Sequence, residues 1–66
     1  MGVRHLKDLR SYLRRHKDES FSRTELRDTL KQNYPTIIDN LAYLMDQEGR
    51  VMEVGDATKK YQWRNT

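Results

Sequence analysis

This 66-residue sequence predicts an α+β fold, mostly helical, in which three helices precede a C-terminal β-hairpin. Three observations predict it. Leucines and isoleucines recur at helical spacing in three separate blocks. The blocks are punctuated by residues that start or stop helices, Ser22, Pro35 and Gly49. Beyond Gly49, two short β-prone runs flank a Gly-Asp turn. A chain of this length makes one domain at most, here spanning 1–66, and folding removes only about 60% of the surface an unfolded chain exposes. There is no cysteine, so helix packing must supply the stability that a disulfide or thiolate metal site cannot.

The first helix is expected over residues 3–17. Leu6, Leu9 and Leu13 fall on one side of it, with Tyr12 and His16 at the border. The opposite arc collects Arg4, Lys7, Arg10, Arg14 and Lys17, a positive outer face. Asp18, Glu19 and Ser20 then break the pattern.

Ser22-Arg23-Thr24-Glu25 has the spacing of a capping box, which places a second helix over 23–31. Phe21 before the cap and Leu26 within the helix stand at the positions of a hydrophobic staple. Arg23, Arg27 and Lys31 recur at steps of four, making a second positive row.

Proline disfavours a helical residue before it and suits the first turn of a new helix, so Asn33-Tyr34-Pro35 opens a third helix over 35–48. Ile37, Ile38, Leu41, Leu44 and Met45 share its apolar arc. On the other side, Thr36, Asn40, Tyr43 and Gln47 are expected to form an uncharged stripe able to hydrogen-bond, with Asp39 and Asp46 beside it. Asp46 and Glu48 are placed to hold Arg50 or to keep the surface soluble. Gly49 ends the helix. The hairpin is expected over 50–64, with runs at Val51-Met52-Glu53-Val54 and Lys60-Tyr61-Gln62-Trp63-Arg64. There Tyr61 and Trp63 share a face and close one side of the core.

Thirteen bases against ten acids give a formal charge of +3, unevenly placed. Residues 1–33 carry nine bases and five acids, whereas residues 34–66 carry four and five. An excess on one side suits a polyanionic partner. No apolar run approaches the roughly 18 residues of a membrane span, and the basic N-terminus leads into an amphipathic segment rather than the apolar stretch of a signal peptide. A cytoplasmic location, at the nucleoid or in a host-cell interior, is therefore expected, with no membrane partner.

Catalysis finds little support. His5 and His16 are eleven residues apart on one helix, about 16 Å at a 1.5 Å rise, too far to share a metal. There is no Gly-rich phosphate loop, H-E-x-x-H or nucleophile elbow. The sequence indicates no enzyme, cofactor, metal or small-molecule ligand.

Residues P-T-I-I-D-N-L-A-Y-L-M-D-Q-E-G-R-V, 35–51, resemble the recognition-helix segment of winged helix-turn-helix transcription regulators of the bacterial and archaeal kind. The pattern of a turn residue, a threonine, an aliphatic, two leucines three apart, then a glycine before an aliphatic is met by Pro35, Thr36, Ile37, Leu41, Leu44, Gly49 and Val51. The resemblance extends from Leu6 to Trp63. It implies a double-stranded DNA partner, with the third helix in the major groove, the start of the second helix on phosphates and the hairpin wing on the adjacent backbone. On that reading Thr36, Asn40, Tyr43 and Gln47 meet base edges. Arg23, Arg27, Lys31, Lys59, Lys60, Arg64 and Arg14 supply phosphate contacts, which set register and strength without reading sequence.

The segment 34–49 holds no lysine or arginine. This keeps a second expectation open, a winged helix that docks on a protein through the acidic third helix with exposed Tyr43 and Tyr34 on the contact surface. It also keeps open a third, in which surface tyrosines stack on single-stranded nucleic acid or RNA. A homodimer, through the first helix or the wing, is a further possibility for the assembly.

Overall fold

The computed structural model describes residues 5–64. The chain runs α1 (Leu6–Arg15), β1 (Ser20–Phe21), α2 (Arg23–Leu30), α3 (Tyr34–Tyr43), a π-helical turn (Leu44–Glu48), β2 (Val51–Val54) and β3 (Lys60–Trp63). Three helices and a C-terminal hairpin wing form the α+β arrangement that the periodicity predicts.

α1 buries Leu6, Leu9 and Leu13. It is shorter than expected: His16 leaves helical geometry (φ −109°, ψ 46°), although its N–H still bonds the Tyr12 carbonyl at 3.1 Å. Residues 3 and 4 of the expected helix lie outside the described residues. β1 is an element that the sequence did not signal, since two residues are too few to show a period of two. Its register is Ser20 opposite Gln62 and Phe21 opposite Tyr61.

The capping box of α2 forms as expected. Glu25 N–H donates to the Ser22 hydroxyl at 3.2 Å, and Ser22 N–H donates to the Glu25 carboxylate at 2.9 Å. Lys31, at φ 54°, takes the left-handed conformation just past the end of the helix, which stops at Leu30, one residue short of the expected limit. α3 begins at Tyr34, with Pro35 in its first turn. Beyond Tyr43 the helix widens, and the N–H groups of Gly49 and Arg50 both close on the Leu44 carbonyl. Gly49 stands at φ 63°, a conformation that glycine adopts without the Cβ penalty.

All strand pairs are antiparallel in the order β1-β3-β2, with Val51 opposite Trp63 and Val54 opposite Lys60. The tight turn requires Gly55 at φ 97°, and a Cβ there would stand 2.5 Å from the Thr58 carbonyl oxygen. One core gathers Leu6, Leu9, Leu13, Leu26, Ile37, Leu41, Leu44, Val51 and Tyr61. Phe21 and Trp63 pack against it, so β1 and the hairpin close the side left open by the helices. No helix among the described residues is long and apolar enough to cross a membrane.

The expected uncharged stripe on the third helix needs correction. Asn40 is fully buried beside Ile37, Leu41 and Leu44. At 100° per residue it lies only about 60° from Ile37, on the i, i+3, i+4, i+7 ridge that faces the core. The outward surface of α3 and its π turn is made instead by Pro35, Asp39, Asp46 and Gln47. The expected hold of Glu48 on Arg50 is corrected too: Glu48 grips Arg10 of α1.

Candidate nucleic-acid interface

The first turn of α2, the first residue of α3 and the hairpin turn meet around one open cleft of about 390 Å³, lined by Ser22, Arg23, Thr24, Tyr34, Thr58 and Lys59. Each wall follows from local sequence. The capping box fixes where α2 starts and so where Arg23 stands. Pro35 fixes the first turn of α3 and with it Tyr34, and Gly55 turns the wing so that Thr58 and Lys59 face the same opening.

Tyr34 sits beneath two guanidiniums. Arg23 Cζ lies 5.8 Å and Arg27 Cζ 5.9 Å from its ring centroid, within range of the attraction between a cation and the negative face of an aromatic ring. Four residues apart on α2, the two arginines share one ring. Arg27 also donates through Nε to Asp28 at 3.1 Å, an exposed pair of the kind that contributes little. The Glu25 carboxyl is held below its ordinary pKa, chiefly by the Ser22 N–H it accepts, with a smaller contribution from the Lys60 charge. It therefore stays ionised as a cap and takes up part of the positive field of Lys60.

Of the expected phosphate-contact residues, the fold brings Arg23 and Lys59 to one cleft, with Arg27 next to it over Tyr34 and Lys31 exposed at the far end of the same α2 row. Lys60 is half-buried at the start of β3. Arg14 and Arg64 lie elsewhere. Arg14 lines a hollow between α1 and the hairpin base, and Arg64 N–H bonds the Arg50 carbonyl at 2.7 Å at the open end of the hairpin. Of the expected base-reading residues, Thr36 and Tyr43 are half-buried, Gln47 is exposed and Asn40 is inaccessible. The sequence offers Tyr34 as an exposed tyrosine of a contact surface, and the fold half-buries it beneath the two arginines instead. Its partners are on another helix, and no spacing along the chain signals a contact across helices.

Among the described residues, no group of three or more acidic or histidine side chains is arranged to hold a metal ion. No family model, curated protein or solved structure matches this chain.

Proposed function

We propose that the protein is a small winged-helix DNA-binding protein, a transcriptional regulator that holds duplex DNA mainly through its phosphates. The observation that carries this reading is the convergence of Arg23 and Lys59 from α2 and the wing on one cleft, with Arg27 beside it over the Tyr34 ring that also meets Arg23. Guanidiniums and an ammonium displace the counterions of a phosphate backbone, and that release supplies affinity without sequence information. Thr36, at the start of α3, is the base-reading candidate nearest this cleft in sequence, followed along the helix by Tyr43 and Gln47. With Asn40 in the core, sequence discrimination rests on few side chains and is expected to be modest.

Titration against a labelled random duplex at two salt concentrations, followed by selection from a random pool, tests the proposal. Log affinity should fall with log salt with a slope near −0.9 per phosphate neutralised, about −3 for three contacts. A flat salt response would overturn it.

The exposed acids Asp39 and Asp46 favour a second reading, in which α3 docks on a protein surface rich in lysine and arginine. Under that reading, Asp39→Asn and Asp46→Asn abolish capture of the basic partner. Under the first reading the same changes strengthen duplex binding by removing repulsion.

A further inference from the structure

At the opposite end of the hairpin from the Gly55 turn, α1, the π turn and the strand ends enclose an open hollow of about 490 Å³. It is lined by Arg10, Arg14, Glu48, Arg50 and Trp63. Arg10 is committed to Glu48, its Nε donating at 3.1 Å and a second guanidinium N–H reaching the other carboxylate oxygen. This pair neutralises the only acid in the lining. Arg14 and Arg50 make no ion pair among the described residues, so two guanidiniums with no acid of the lining left to hold them face the same space as a half-buried tryptophan.

Three separate elements hold these groups. Arg14 follows Arg10 by one helical turn on α1, the helix that the Arg10–Glu48 pair ties to the π turn. Arg50 and Trp63 are set by the last rungs of the hairpin, where Val51 faces Trp63 and Arg64 N–H bonds the Arg50 carbonyl. Guanidiniums bind phosphate oxygens through paired N–H donors, and an indole offers a flat surface on which a nucleobase stacks.

We infer that the hollow lined by Arg14, Arg50 and Trp63 is a nucleotide-binding site, taking one nucleoside 5′-phosphate with its base against Trp63 and its phosphate between the two arginines. The ligand is either a free mononucleotide or the phosphorylated end of a strand, which present the same chemistry. The site is separate from the α2 and wing cleft and does not rest on the duplex-binding reading.

Trp63 is the only tryptophan in the chain, so its fluorescence reports this hollow alone. The purified protein is titrated with a purine nucleoside monophosphate, the unphosphorylated nucleoside, inorganic phosphate and a 5′-phosphorylated short single strand. Excitation is at the red edge of indole absorption, where the ligands do not absorb. The monophosphate should give a saturable change, the nucleoside and inorganic phosphate each binding at least tenfold more weakly. Tighter binding of the phosphorylated strand identifies a strand end, and equal or weaker binding a free nucleotide. Arg50→Gln should weaken the monophosphate about tenfold, the loss expected when a charge-assisted hydrogen bond goes. Circular dichroism checks that this variant is folded. No saturable change, an equal response to inorganic phosphate, or an undiminished response in folded Arg50→Gln would overturn the site.

Discussion

Glu48, at the end of the π turn, grips Arg10 of α1 through both carboxylate oxygens across 38 positions of sequence. The bond to Glu48 pushes the Arg10 guanidinium further above its already high pKa, so the arginine is charged at every pH the fold survives. Both side chains are partly exposed, which places the pair between a surface and a buried bridge. Glu48→Ala should therefore cost about 1 kcal/mol. In a domain of this size, that lowers the thermal midpoint by roughly 4–8 °C. High salt should narrow the gap between wild type and variant, and a thermal scan at two ionic strengths reads both effects.

Asn40 gives a sharper discrimination. Its full burial makes it a structural residue rather than a reader of bases. Asn40→Ala should destabilise the fold by roughly 1–3 kcal/mol, the cost of disturbing a buried polar group. Sequence preference in a pool selection should stay that of the wild type. A changed preference in a protein of unchanged stability would contradict the placement.

These two residues also separate what the sequence makes legible from what it does not. Repeating apolar residues locate the first and third helices, because burying one face imposes the 3.6-residue period on Leu6, Leu9, Leu13, Ile37, Leu41 and Leu44. The Ser22 cap and the Gly49 stop are local chemistry and read equally well. Asn40 is misplaced because polarity alone assigns it to water, although its angle on the helix already puts it on the core ridge. The Arg10–Glu48 pair, the stacking of Arg23 and Arg27 on Tyr34, and strand β1 depend on how elements meet in space. No pattern within a single element carries them.

The capping box should make stability sensitive to acid. The folded-state pKa of Glu25 is depressed, so its ionised form contributes stability above the unfolded value of about 4.5, and that contribution is lost as pH falls through the folded value. Glu25→Ala should therefore melt below wild type near neutrality and converge with it in strong acid. Thermal scans of both proteins in a series from neutral pH down into strong acid test the convergence.

Gly55→Ala should strain the wing. The residue stands at φ 97°, and its new methyl would press on the Thr58 carbonyl oxygen. A cost of about 1 kcal/mol or more is expected. Because Thr58 and Lys59 line the α2 cleft, duplex affinity should fall with stability. Amide chemical shifts of residues 54–60 would localise the disturbance to the turn.

Tyr34 tests whether the arginine pair is positioned or merely present. Each guanidinium lies just under 6 Å from the ring centroid, a contact worth about 0.5–1 kcal/mol at an exposed site. If the ring holds both arginines toward phosphate, Tyr34→Leu should weaken duplex binding roughly three- to tenfold. Tyr34→Phe, which keeps an aromatic face, should stay near wild type. The salt slope separates this from loss of a contact. Tyr34→Leu leaves the number of cations unchanged and should preserve the slope, whereas Arg23→Ala removes a cation and should flatten it by about 0.9. Unchanged affinity in Tyr34→Leu would mean that the arginines reach phosphate without the ring, and a flattened slope would mean that the ring keeps one of them in contact at all.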